Sequence, residues 1–127
     1  MVRDATYFNA VTEQIIGCAY TVGSALGPGF LEKVYENALI HELVKSGLKT
    51  ENQKSIKVYY DGIIVGDYFA DLVVDDEIIV ELKTVKALDN SHLAQCLHYL
   101  KATRNKVGLL VNFGASSVQI RRVVNGF

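Results

Sequence analysis

The chain has 127 residues, half of them hydrophobic, with a formal net charge of −1 and a single proline. That is enough for one domain with a real core and too little for two, and it argues against a disordered or low-complexity protein. No apolar run reaches the roughly 18–20 residues that span a bilayer, and Met1 to Thr6 lack a signal-peptide core, so a cytoplasmic protein without a membrane partner is expected.

The first helix is expected from about Asp4 to Leu26, capped by Asp4, with Val11, Ile15, Ala19, Val22 and Leu26 at helical spacing. Gly27-Pro28-Gly29 ends it, because glycine accepts the left-handed cap and proline cannot continue the helix. A second helix, from about Phe30 to Ser46, carries the stripe Leu31, Tyr35, Leu39 and Leu43, and Gly47 closes it. Strands follow: Lys54 to Tyr60 and Ile63 to Val65 flank Asp61-Gly62, a two-residue hairpin signal. Gly66-Asp67 reads as a bulge or kink before Tyr68 to Val74, and Ile78 to Val85 forms the next strand. Asn90 or Ser91 caps a helix of roughly His92 to Thr103, with Leu93, Leu97 and Leu100 facing inward. Val107 to Val111 reads as a strand covered on both faces, and Val118 to Val124 as a last, alternating strand. The order ααβββαββ, with a helical crossover between the third and fourth strands, gives a three-layer α/β/α domain with a mixed five-stranded sheet over residues 1–127.

Chemistry concentrates between Asp71 and Lys83. A strand rich in Ile and Val buries at least one face, and a carboxylate there costs several kcal/mol unless a cation or donor compensates it. Glu81 and Lys83 share one strand face. A two-residue loop at Asp75-Asp76 would set Asp71 opposite Val80, facing away from Glu81. A three-residue loop, Asp75-Asp76-Glu77, sets Asp71 opposite Glu81 with Cβ atoms about 5 Å apart. The odd loop is therefore expected. Two such carboxylates repel unless a cation neutralises them, and hard oxygen donors suit Mg²⁺ or Mn²⁺. Zinc is disfavoured, because no His or Cys group stands with them. Cys18 and Cys96 read as reduced, buried thiols, and His41, His92 and His98 show no ligand spacing. Each short motif has a bland alternative when taken alone: Glu-x-Lys as a solvated face, Gln-x-x-x-Tyr as a packed ring, and Glu32 as a macrodipole acid.

An acid at one strand end and Glu81-Leu82-Lys83 on the next resembles the PD-(D/E)XK nuclease superfamily, with Ala70 where its name has Pro. Gln95-Cys96-Leu97-His98-Tyr99 is similar to the Gln-x-x-x-Tyr motif of the RecB- and Cas4-like nucleases. Gly29 to Tyr35 resembles the signature of the GxxExxY protein family, a branch of that superfamily. The resemblance implies a restriction-endonuclease-like fold and a Mg²⁺- or Mn²⁺-dependent phosphodiesterase acting on nucleic acid, DNA ahead of RNA. It implies a metal held by Asp71, Glu81 and the Leu82 carbonyl, with Glu32 reaching it through water or steering a second ion. Glu32 lies about 60° from the centre of its helix stripe, close enough to turn toward the sheet. Lys83 would orient the attacking water, and Gln95 and Tyr99 would hydrogen-bond Lys83 or a substrate phosphate. Three acids and one ammonium are thus expected around one cation.

Lys86, Lys101, Arg104, Lys106, Arg121 and Arg122 are the candidate phosphate contacts. The net charge of −1 weakens a case for tight nucleic-acid binding but leaves room for a local grip. Two alternatives stay open: a non-catalytic nucleic-acid-associated or assembly module that keeps the fold, and an enzyme acting on a smaller phosphorylated substrate. A homodimer is expected, with no interface residue assigned.

Overall fold

The structure is a computed structural model that describes residues 3–126. Met1, Val2 and Phe127 lie outside that range, so the first two residues of the stretch read for a signal peptide are not described. Helix α1 (Ala5–Leu26) starts where the Asp4 carboxylate accepts from Tyr7 N at 3.2 Å. It buries Phe8, Val11, Ile15, Cys18, Ala19 and Val22. It ends at Gly27, whose φ of 68° is the backbone state glycine adopts without strain.

Helix α2 (Glu32–Lys45) begins two residues later than the expected Phe30. Leu31 stands at its N-cap, 81% exposed, so it is not part of the buried stripe that Tyr35, Leu39 and Leu43 form. The preceding turn needs Gly29 at φ 118°, which delays the helix. Tyr35 anchors this turn. Its hydroxyl donates to Gly27 O and accepts from Phe30 N at 3.1 Å, and its ring stacks on Phe113 with centroids 4.7 Å apart.

Strands β1 (Thr50–Tyr60) and β2 (Ile63–Val74) form a hairpin whose turn, Asp61-Gly62, has φ of 53° and 76°. The β1–β2 register shifts between Val58 and Tyr59 and passes over Val65, so the irregularity beside Gly66 is a bulge within one continuous strand. Strand β3 (Ile78–Lys83) stops two residues before the expected Val85. Helix α3 (Asn90–Thr103) is capped by Asp89, one position before the expected cap. The Asp89 carboxylate accepts from Ser91 N and His92 N, while His92 Nδ1 accepts from Asp89 N. Strand β4 (Val107–Asn112) is buried throughout, and β5 (Gln119–Val124) closes the sheet.

The strands lie in the order β1-β2-β3-β4-β5, with β3 and β4 parallel and the other neighbours antiparallel. Helices α1 and α2 pack on Leu72, Val74, Ile78, Val80, Leu82, Leu109 and Val111. Leu100 of α3 packs on the other face with Ile56, Ala70, Val73 and Ile79. The result is the expected three-layer α/β/α fold around a mixed five-stranded sheet. Among the described residues no helix is long and apolar enough to cross a membrane.

Candidate active site

The β2–β3 ladder runs through Val74–Ile78, Val73–Ile79 and Leu72–Val80, joined by the three residues 75–77. That register sets Asp71 opposite Glu81, as the three-residue loop requires. Beyond Leu72–Val80 the strands part. The Leu82 N–H, which would otherwise continue the ladder toward Ala70, donates to Asp71 Oδ2 at 2.8 Å. Side-chain alternation also breaks here, since Ala70 and Val73 pack in the α3-side cluster while Leu72 and Val74 pack in the other. Gln53, across β1 from Asp71, has a φ of 51° at the same level. The sheet therefore opens into a fork lined by acids.

Glu81 lies deep in that fork, 7% exposed, and its Oε1 is buried without a hydrogen-bond partner. Burial, then the charge and hydrogen bonding of Asp71, push its carboxyl up to about 8, with Lys83 pulling the other way. A Glu81 carboxyl so raised is mostly protonated at neutral pH unless a cation takes the proton's place. Lys83 Nζ has no hydrogen bond or ion pair among the described residues and reaches the site only through space, where it opposes the raised carboxyls of Glu32 and Glu81. Lys83 O accepts from Phe113 N on the β4 side at 2.9 Å. By strand alternation the Leu82 carbonyl therefore faces the β2 side, into the fork with its N–H.

Glu32 is exposed in the first turn of α2, and its carboxyl is raised by burial first and then by Asp71. Among the described residues no three His, Cys, Asp or Glu side chains are grouped closely enough to hold a metal ion by themselves. The expected convergence of three acids is thus met by two, with Glu32 at the rim. Helix geometry explains this. The acid that α2 turns inward is Glu36, one turn on, which is buried, pairs with Lys33 and accepts from Gln53 Nε2 at 2.7 Å. Gln53 Nε2 also reaches Asp71 Oδ1 at 3.4 Å, linking α2 to the fork.

On the α3 side, Gln95 hydrogen-bonds Tyr99, and Tyr99 feels the charges of Glu81 and Asp71. The Tyr99 ring stacks on Tyr68 with centroids 3.6 Å apart. Tyr68 went unnoticed in the sequence, yet its hydroxyl is buried without a partner. Burial and then Glu81 raise its pKa strongly. Cys96 beneath is pushed up to about 12 by burial and then Glu81, so it is an inert thiol. Both cysteines are free and buried. Of the basic candidates, Lys101 lies at the C-terminal end of α3, and Arg122 bonds Asn9 Oδ1 at 2.6 Å. A cleft of about 330 Å³ lined by Ile56, Val73, Ile79 and Thr103 contains none of the expected site residues.

A second polar group escaped sequence reading. Asn112, fully buried and in register with Lys83, accepts from Val85 N and Gly114 N at 3.0 Å. It donates to Val85 O at 2.9 Å and to Gln119 Oε1 at 3.0 Å. Gln119 in turn accepts from Leu88 N at 3.1 Å, so the segment from Lys83 to α3 is pinned from both ends. The donor set at the fork fits a hard divalent cation: two carboxylates, one with an unpartnered oxygen, and a backbone carbonyl, leaving further positions to water.

Two solved structures share the fold. An alkaline exonuclease (LHK-Exo) from Laribacter hongkongensis matches with a TM-score of 0.54 and 12% identity, over 98% of this chain and 72% of that one. SSO0001 matches with a TM-score of 0.56 and 18% identity, over 96% of this chain and 61% of that one, so this chain spans under two thirds of its length. No curated protein matches the chain. A family model described as the PD-(D/E)XK nuclease superfamily matches residues 9–123, which include the forked strands, the Asp71–Glu81 pair and Lys83. The chain belongs to the PD-(D/E)XK nuclease superfamily.

Proposed function

We propose that this protein is a divalent-metal-dependent phosphodiesterase that hydrolyses nucleic acid, DNA ahead of RNA, in the cytoplasm. The observation that carries the reading is the Asp71–Glu81 pair at the fork, with Asp71 half-buried and Glu81 buried with its Oε1 unpartnered. Asp71, Glu81 and the Leu82 carbonyl would hold Mg²⁺ or Mn²⁺. When bound, such an ion polarises a phosphoryl oxygen and acidifies a coordinated water. Lys83 orients the attacking water and offsets charge growing on phosphorus, for which an unpaired ammonium beside the carboxylates is well placed. Gln95 and Tyr99 position the substrate phosphate from α3, and Glu32 at the rim holds water or a second ion. In-line attack then leaves a 5′-phosphate.

Gly29, Glu32 and Tyr35 support placement in the GxxExxY branch, and Gln95 with Tyr99 supports kinship with RecB- and Cas4-like nucleases. The two free cysteines fit a reducing compartment. The test is cleavage of a panel of single- and double-stranded DNA and RNA with Mg²⁺, Mn²⁺ or chelator, beside a Glu81→Ala control. Metal-dependent cleavage lost in the variant supports the reading. Equal products from both proteins, or none from either, overturn it. The net charge of −1 favours a second reading, a non-catalytic nucleic-acid-associated module, which would retain oligonucleotides without turnover. Free nucleotides in the same panel report an enzyme of smaller phosphorylated substrates.

A further inference from the structure

The β1–β2 hairpin outgrows the rest of the sheet. β3 meets β2 only from Leu72 onward, so in the sheet the arm of residues 54–69 pairs only with itself, and α3 covers one face of it at Ile56 and Tyr68. Tyr59, Tyr60, Ile63, Ile64, Val65 and Phe69 are between 52% and 74% exposed on it. Alternation puts Tyr59, Ile64 and Phe69 on one face and Tyr60 and Ile63 on the other. At about 200 Å² for a fully exposed side chain of this size, the first three with Lys57 and Asp67 present roughly 500 Å². Two copies together bury about 1,000 Å², the lower bound of a specific interface. An apolar arm with unpaired backbone edges invites association with another chain.

The nature of that chain follows from the pattern along one face. Pairing sets three successive rungs there: Tyr59 with Ile64, Lys57 with Asp67, and Ser55 with Phe69. The central rung is an ion pair at 2.7 Å, both side chains nearly half exposed. Each rung sets two unlike side chains across the hairpin, so the face is complementary to its own copy turned over about the strand direction. A two-fold axis parallel to the strands, midway between β1 and β2, lays Tyr59 of each copy on Ile64 of the other and Ser55 on Phe69. It also brings each Lys57 over the other copy's Asp67. A polyanion is a poorer match, because the arm carries Lys54, Lys57, Asp61 and Asp67 and so no net charge. Its lysines already pair with Glu51 and Asp67.

We propose that this arm is a homodimerisation element whose occupant is the same face of a second copy of the chain. The inference stands apart from the nuclease reading, since none of its residues belongs to the fork. The experiment is sedimentation velocity of the full chain across a dilution series, with far-UV circular dichroism as the folding control. Wild type is expected to be a dimer; Ile64→Asp, Lys57→Glu and Asp67→Lys are each expected to be folded monomers. Mixing Lys57→Glu with Asp67→Lys in equal amounts should restore a dimer, because opposite charges then face each other across the axis. A wild type that stays monomeric overturns the proposal, and so does a dimer indifferent to the Lys57 and Asp67 changes. Loss of oligonucleotide retention in Ile64→Asp with no change in mass also overturns it, assigning the arm to a polyanion.

Discussion

Replacing Glu81 with Gln should make the metal-free protein more stable, and only at high pH. Glu81 is buried, and its carboxyl is raised from 4.5 to about 8 by burial and by Asp71. A folded-state pKa above the unfolded one means this group favours folding when protonated. Its contribution is complete below about pH 4.5 and is lost as pH rises through about 8. At about 1.4 kcal/mol per unit, that shift amounts to roughly 5 kcal/mol at full ionisation, and relaxation and water entry reduce the measurable part to about 2–3 kcal/mol. Gln is neutral at every pH and can donate to Asp71. Glu81→Gln should therefore match wild type near pH 5 and exceed it by about 2 kcal/mol near pH 9, a Tm difference of roughly 6–10 °C for a chain of this size. Thermal melts in chelator at pH 5, 7 and 9, repeated with Mn²⁺, provide the assay. Mn²⁺ should raise the wild-type Tm at pH 9 and leave the variant's unchanged. A variant less stable than wild type at pH 9, or a difference independent of pH, would refute the coupling of buried Glu81 to Asp71 on which the site rests.

Lys83→Ala should lower single-turnover cleavage by about 10²–10⁴-fold while Mn²⁺ affinity, followed by calorimetry, stays within a few-fold. Tyr68→Phe removes a buried hydroxyl that has no partner, so urea unfolding should show a gain of up to about 1 kcal/mol rather than a loss. Asn112→Ala breaks four hydrogen bonds that pin the segment after Lys83 and should cost about 2–4 kcal/mol in the same assay. Gly114→Ala would place a Cβ 2.4 Å from the Thr84 backbone carbon, and it should cost more than about 2 kcal/mol or prevent soluble expression.

The register of the fork was legible because two facts constrain it together: side chains alternate along strands, and two carboxylates near an apolar strand need a shared partner. That reasoning required the three residues 75–77 in the loop, and the structure has them. The stripes of α1 and α2 were equally readable, apart from Leu31, where Gly29 at φ 118° postpones the helix. At α3 the run Asp89-Asn90-Ser91 offers three capping side chains in a row. Composition cannot choose among them; the reciprocal bond with His92 does. What escaped depends on contacts distant in sequence. Glu36, paired locally with Lys33, is also bonded by Gln53, 17 residues on, a contact its own helix does not announce. Tyr68 becomes part of the site only because Tyr99 stacks against it. Asn112 reads as an ordinary strand-end residue until its four bonds are seen.

The central claim is that Asp71 and Glu81 share one divalent cation. Anomalous diffraction from a crystal soaked in Mn²⁺ tests it most directly. The account expects a peak about 2.2 Å from carboxylate oxygens of both residues and from the Leu82 carbonyl. A fork without a peak at millimolar Mn²⁺, in crystals that bind the ion elsewhere, would contradict it.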